Sequence, residues 1–441
     1  MKERKVFLLI LSLLITASML LASCSPAAAP VVDKPAAEAP AAEEAATEAP
    51  VVEEAAPAES VVLTYWHTMS DPETAQLELV IADFEAANPG ITVEATRYSW
   101  DDFKPALLTA LAGNAAPDTA RMDIAWVPEF ADKGALFQLD GAMPEFDAIA
   151  ADAFPGPLST NLWQGHYYGL PQNTNTQVLL WNREALAAGG FTEAPKTMEE
   201  FQTVACAISD KANEKYGYAL GGTYFWAPAP IFYAMGGKIV DEGITTATGY
   251  VNSAESVAAF TMLTEMYNDG CISPNLLGGG VGTSDGLATG MYGMIIDGPW
   301  MVDIYKDQYP DFEVNFAPIP TSNGNTSSVV GGEDVVVFYD TDVADAAMKW
   351  TAYLMSPASQ LKMAEVGVIP TLSSLIGNEN LPAYFGVFLD QLQTAQARVP
   401  HPVWSDMDSA INNAFQRMLN GDQDPQAALD QAADEINALL K

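Results

Sequence analysis

Met291-Tyr-Gly-Met-Ile-Ile-Asp-Gly-Pro-Trp300 decides how this chain is read. It has the pattern of a short apolar strand that stops at Asp297-Gly298, with Pro299 preset for the first turn of a following helix. That arrangement predicts Trp300 and Asp297 at the carboxyl end of a strand, beside a helix start. In open α/β sheets ligands sit there. A mid-chain tryptophan more often plugs a core, so the question is whether other tryptophans share the context.

Outward from that stretch, strand and helix patterns alternate. Residues 61–65 are a β-rich run ending at Trp66-His67, and Ser70-Asp-Pro-Glu73 has capping-box spacing. Leu77, Val80, Ile81 and Phe84 then fall on one helical face. Residues 91–95 predict the next strand. Phe103, Leu107 and Leu111 mark a second amphipathic helix, and residues 121–125 a third strand running into Trp126. This βαβαβ order implies parallel pairing with right-handed crossovers. Residues 167–171 close the first half, 172–176 are polar and committed to no element, and 177–182 are extended and apolar. A polar segment between two strand signals is what a chain crossing between lobes would look like. A second set follows: a helix after Thr197, a strand at 216–220 leading to Trp226, helices near 228–235 and 254–268, and a further crossing strand within 329–338. Beyond it the pattern is helical, ending in a helix that starts at Asp424-Pro425 and carries Leu429, Ala432, Ile436 and Leu440 on one face.

Upstream of this body lies an address. Lys2, Arg4 and Lys5 precede an apolar run from Val6 to Leu21, the pattern of a secretory signal. The run is too short for a comfortable membrane span. Leu21-Ala22-Ser23-Cys24 resembles the bacterial lipoprotein cleavage box, in which the cysteine becomes the acylated N-terminus. Residues 1–23 are therefore expected to be a lipoprotein signal peptide. Residues 24–60 would be an acylated Cys24 followed by a disordered Ala/Pro/Glu tether, reaching between roughly 33 Å as a coil and roughly 100 Å if extended. Multiple acyl chains anchor stably where one holds weakly.

Hydrophobic residues make up 49% of the 441, so the body is folded, and the net charge of −38 repels nucleic acid and anionic headgroups alike. No nucleic-acid partner is expected, and contact with the membrane only through the lipid anchor. With three histidines, three cysteines and no CxxC spacing, neither a metal nor another cofactor is expected. Outside the cytoplasm Cys206 and Cys271 could be oxidised to a disulfide or remain two separate buried thiols, and the sequence leaves both open.

Trp66, Trp126, Trp226 and Trp300 each stand where a strand pattern gives way to a turn or helix start, and Trp404 follows Pro400-His-Pro402 just before a helix. Together they predict a shared aromatic-lined cleft. Aromatic faces suit the apolar C–H faces of sugar rings. Covering ~50 Å² of such surface stabilises by roughly 1.2 kcal/mol, and hydrogen bonds to charged partners add about 1.5–3 kcal/mol each. Stacking would orient a sugar, and carboxylates and amides would select it.

With these residues in place, the chain resembles the family 1 extracellular solute-binding proteins, the sugar-binding lipoprotein partners of ABC importers that include maltose-binding members. The markers are Leu63-Thr-Tyr-Trp-His67, Phe84-Glu-x-x-Asn-Pro-Gly-Ile-x-Val93, Pro117-Asp118 with Asp123-Ile-x-Trp126, Tyr168-Gly-Leu-Pro171, Trp181-Asn182 and Asp297-Gly-Pro-Trp300. The likeness covers essentially everything after residue 60. It implies a periplasmic-binding-protein-like, type II-like α/β fold of two lobes joined by crossing hinge strands and closing on ligand. The N-terminal lobe would hold 61–173 and 332–378, and the C-terminal lobe 174–331 and 379–441. In the family an aromatic corresponding to Trp300 stacks on the sugar, and Trp126, Trp226 and Trp404 fall near other aromatic contacts. Asn175 falls where maltose-binding relatives carry a glutamate, which keeps a polar group but removes a charge. Glu129 lies near a position that supplies a sugar-binding carboxylate, and His67, Asn173, Asp297, Glu333 and Asp334 are expected at the cleft rim.

The implied protein is an extracytoplasmic monomer, not an enzyme, that captures a neutral mono- or oligosaccharide and delivers it to the transmembrane subunits of an ABC permease. A cationic solute such as a polyamine is an alternative, since acids and aromatics also build cation sites. A secreted glycosidase would need two carboxylates flanking the scissile bond, and no GxSxG or HExxH motif is present. A surface adhesin would account for the Pro-rich tether but not for hinge-like crossings.

Overall fold

The computed structural model describes residues 60–441. The signal-like segment 1–23, Cys24 and the Ala/Pro/Glu stretch as far as residue 59 lie outside the described residues. Strands β1 (Val61–His67), β2 (Ile91–Arg97) and β3 (Thr119–Asp123) run parallel with β1 in the middle, as the alternating pattern requires. The Asp71–Ala87 helix makes the first crossover. Its capping box forms in full, the Ser70 hydroxyl accepting from the Glu73 N–H and the Glu73 carboxylate accepting from the Ser70 N–H. Leu77, Val80 and Phe84 are buried, with Ile81 half-buried beside them. The Trp100–Ala112 helix, capped by Ser99, makes the second crossover and buries Phe103 and Leu107.

A small hairpin of β4 (Leu162–Trp163) and β5 (His166–Tyr167) precedes the long strand β6 (Gly169–Thr176). Then come β7 (Val178–Trp181), β8 (Tyr216–Ala219), β9 (Tyr292–Asp297), β10 (Asn315–Ala317), β11 (Val329–Val337) and the two-residue β12 (Gln396–Ala397). The first sheet has the order β12-β11-β3-β1-β2, with β6 also paired to β11, and the second has the order β10-β7-β9-β8. Two α/β lobes result, joined by crossing strands. Gln177 alone separates β6 of the first sheet from β7 of the second.

Residues 172–176, uncommitted by their polarity, are strand and buried throughout. Antiparallel pairing with β11 supplies what the local sequence could not. The Thr174 and Thr176 hydroxyls donate to the Gly331 and Val329 carbonyls at 3.2 and 2.8 Å, so these polar side chains are satisfied within the ladder. The ladder shifts register between Glu333 and Asp334. Gly332 just before the shift has φ +131°, and a Cβ there would collide with the Asn173 carbonyl, so glycine is required.

Trp350 anchors the first core, buried between the edges of Tyr65 and Phe84 at 5.5 and 5.0 Å between ring centroids. The second core gathers Phe232, Phe260 and Phe415, with Leu429, Ala432 and Ile436 of the final Pro425–Leu439 helix; Leu440 falls beyond that helix, half-buried. Among the described residues no helix is long and apolar enough to cross a membrane. Cys206 and Cys271 are joined by a disulfide, their Cα atoms 4.5 Å apart, which ties the Met198–Ile208 helix to the segment beside β8. The bond closes a loop with a sequence separation of 65 residues, for which the chain-entropy relation gives about 4 kcal/mol. Replacing both cysteines by alanine is expected to lower the thermal midpoint by roughly 5–15 °C, and reductant should give the native chain the same shift in differential scanning fluorimetry. An unchanged midpoint in both would show that the bond does not stabilise the lobe.

Candidate functional site

The carboxyl ends of β1 and β3, the crossing strands and the loops after β8 and β9 surround a cavity of about 740 Å³. This lies within the usual range for small-molecule sites. Trp126, Asn173, Asn175, Trp226, Trp300, Glu333 and Trp404 all reach it.

Strand parity sets the polar floor. Arg121 and Asp123 are two apart on β3 and so share one face, and β11 places Glu333 opposite Asp123 while β6 places Asn173 opposite Glu333. The Arg121 guanidinium donates to Glu333 at 2.7 Å and to the Asn173 side-chain oxygen at 3.1 Å, and the Asn173 amide donates to the same Glu333 oxygen at 2.7 Å. Burial pushes the Glu333 carboxyl up, while Arg121 and Asn173 pull it back. Beside this network Arg398 donates to Asp123 at 2.9 Å and lies 5.4 Å from the centre of the Trp226 ring. Asp408 accepts from the Phe225 N–H at 2.8 Å, and burial raises its carboxyl above the ordinary range.

Glycines seat the indoles. Trp300 folds back over Gly298, where a Cβ would collide with its ring, and Trp226 lies against Gly331 in the same way. The two indoles face each other at 6.5 Å between centroids and 31° between planes. Trp126 packs beside Trp100 at 5.4 Å, with the Lys104 ammonium 5.5 Å from its ring centre. Trp404 is largely core: its ring meets the edge of Phe225 at 5.9 Å and is almost fully buried. The Asn175 side-chain oxygen is buried at the cavity and accepts no hydrogen bond from the described residues.

Four of the expected ligand-binding residues, three of them from the rim set, lie elsewhere. His67 points inward, stacks on Tyr65 at 5.8 Å and accepts from the Met69 N–H; burial, then Arg121 and Arg97, hold it down at about 4, so it is neutral. Asp334 follows Glu333 on β11 and so takes the opposite sheet face, where the Thr160 hydroxyl donates to it at 3.0 Å and burial holds its carboxyl well above the ordinary range. Glu129 turns to Lys104 at 2.6 Å and Lys133 at 3.1 Å; burial pushes its carboxyl up, but the two lysines outweigh this and leave it low. Asp297 sits behind Trp300. Burial raises its carboxyl to about 7, opposed by hydrogen bonds from the Gly298 N–H at 2.8 Å and from the Trp300 indole N–H.

Sequence reasoning passed over Trp100, Asp123, Tyr224, Arg398 and Asp408 as site residues, though all line the cavity. Only Arg121 and Asp123 carried a usable signal, two like-facing charged residues in an apolar strand just before Trp126. Among the described residues no group of three or more His, Cys, Asp and Glu is gathered that could hold a metal ion.

The profile of the bacterial extracellular solute-binding proteins matches residues 80–384. The maltotriose-binding protein of Pyrococcus abyssi is 25% identical over 401 residues, covering 85% of this chain and 79% of its own length. A solved ABC transporter solute-binding protein from Thermotoga lettingae, bound to α-D-tagatose, superposes with a TM-score of 0.78 at 27% identity, over 87% of this chain and 100% of that one. The substrate-binding protein of Listeria monocytogenes in complex with cycloalternan shares the fold, with a TM-score of 0.78 at 22% identity over 87% of this chain and 99% of that one. The profile spans most of the chain and both lobes, and the chain belongs to the bacterial extracellular solute-binding protein family.

Proposed function

We propose that the cleft captures an uncharged saccharide and that the protein hands it to an ABC permease. The observation that carries this reading is a cavity walled by indoles from both sides on whose floor each guanidinium is already matched, Arg121 by Glu333 and Arg398 by Asp123. Such a floor offers hydrogen-bonding edges without a net charge to neutralise. The unmet Asn175 acceptor supports it, since a buried acceptor without a donor costs about 1–3 kcal/mol and a sugar hydroxyl would supply one. Relatives that take maltotriose and tagatose point the same way. A cationic solute fits less well, because Arg398 already lies over Trp226. Catalysis fits poorly too: Glu333 and Asp123 are each tied to an arginine, so neither is free as acid or nucleophile.

Trp126, Asn173, Asn175, Trp226, Trp300, Glu333 and Trp404 would contact the ligand, with the lobes dividing at 61–173 with 332–378 and at 174–331 with 379–441. The chain would act as a monomer held to the outer face of the membrane through acylated Cys24. Isothermal calorimetry across mono- and oligosaccharides should find binding, and Trp300→Ala should weaken it roughly tenfold. No heat from any sugar would end the reading. Expression of the full chain with Cys24→Ser should move the protein from the membrane to the soluble fraction; retention on the membrane would remove the lipid anchor.

Asp297 would serve as a positioning residue for Trp300. Its carboxyl is raised to about 7 in the folded chain from an ordinary value of 3.8, so the folded state binds the extra proton between those limits. The Asp297 contribution to stability should therefore be greatest below about pH 4, be lost as pH rises towards 7 and level off above it, by a few kcal/mol at most. Asp297→Asn should flatten part of that fall in urea titrations at graded pH. An identical pH profile in the variant would mean that Asp297 does not titrate there.

A further inference from the structure

Each lobe brings one helix to the mouth of the cleft, and a single ammonium joins the two. The Trp100–Ala112 helix is fixed to the first lobe: Phe103 and Leu107 are buried in one cluster with Ala120 and Met122 of β3. The Trp404–Leu419 helix is fixed to the second: Trp404, Met407 and Ile411 are buried in one cluster with Phe260 and Met294. From the first helix the Lys104 ammonium donates to the Ser405 hydroxyl of the second at 2.6 Å. Lys104 follows the buried Phe103 in the chain, and Ser405 follows the buried Trp404. The contact therefore spans two anchored bodies rather than two loose segments, and a rotation that parts the helices breaks it.

The donor is held in place from within its own lobe. Glu129 lies 2.6 Å from the Lys104 ammonium, and the centre of the Trp126 ring is 5.5 Å from it. Both flank the short Val127–Asp132 helix, whose Val127 and Phe130 are buried in the same first-lobe cluster. A free lysine loses rotamer entropy when it settles on one partner. Here that cost is met inside the first lobe, and Ser405 receives a donor already aimed. The Lys104 and Glu129 side chains are only 18% and 14% exposed, so water competes weakly for the ammonium. Lys104 itself does not line the cavity, whereas Trp126 and Ser405 on either side of it do.

We infer that Lys104 is a positioning residue that latches the lobes: by donating to Ser405 it favours the shut cleft and raises affinity for whatever the cleft holds, without touching the ligand. Glu129, near a position that supplies a sugar-binding carboxylate in the family, serves here to aim the latch. The physical reason is linkage. Apparent affinity is the intrinsic affinity scaled by the fraction of molecules in the binding-competent arrangement, and a bond made only in the shut form raises that fraction. A latch therefore multiplies the affinity for every ligand by one factor, whereas a residue of the cavity wall alters one ligand relative to another. Only the choice of probe rests on the saccharide reading above.

The test uses the full chain, native and with Lys104→Met, Lys104→Arg or Ser405→Ala. Lys104→Met keeps the apolar stem and leaves Glu129 paired with Lys133 at 3.1 Å, so its thermal midpoint should stay near the native one. Small-angle scattering without added sugar should give a larger radius of gyration for Lys104→Met and Ser405→Ala than for the native chain. Lys104→Arg, which keeps charge and donor, should restore most of the difference. Calorimetry with glucose, galactose, mannose, N-acetylglucosamine and their linear oligomers should show both disruptive variants weakening every sugar that binds by one common factor, about three- to tenfold. The double variant should be no weaker than either single one, since both remove the same bond. An unchanged radius in both variants would overturn the latch, and so would a loss of affinity that differs from sugar to sugar. No heat from any sugar would end the saccharide reading, and the scattering comparison would still decide the latch.

Discussion

The ladder between β6 and β11 holds the two halves together, and everything in the cleft is referred to it. Both strands are buried throughout although they carry amide, hydroxyl and carboxylate side chains. Burying such groups is costly unless each finds a partner. Several partners come from the ladder itself and from β3 beside it: Asn173 and Glu333 meet Arg121, and the threonines meet carbonyls of the facing strand, while the Asn175 oxygen is left without one. The register shift at Glu333 and the glycine before it let one strand serve both its β6 and its β3 neighbours while the chain passes between lobes.

The chain has a formal net charge of −38, yet its cleft is not an open acidic trough. Buried ions must be paired, because an unpaired one costs several kcal/mol, and the two guanidiniums of the floor are placed where they neutralise the two carboxylates nearest them. Selectivity is thereby shifted from charge to shape and hydrogen bonding. The aromatic side chains share in this through their seats. Glycine beneath Trp226 and Trp300 lets each indole lie close to the backbone. In the Asp297-Gly-Pro-Trp300 turn the aspartate accepts from the Gly298 N–H, the glycine gives the ring room and the proline directs the chain into the next helix.

What the sequence by itself determined was whatever depends on neighbours in the chain. The Ser70 capping box, the apolar face of the Asp71–Ala87 helix, the parallel β1, β2 and β3, and the strand ending before Trp300 all follow from spacing over a few residues. The resemblance carried by those markers extended this to two lobes and to the indoles that line the cavity. Only the tertiary structure decided which polar residues face it. Glu333 and Asp334 are adjacent and chemically alike, but pleating sends one to the cleft and the other to the core. Glu129 has the right neighbourhood but is drawn to Lys104, Arg398 reaches Asp123 from a distant segment, and Trp100 meets Trp126 only because two helices pack. Such choices are made by register and by contacts between residues far apart in sequence, and no local pattern encodes them.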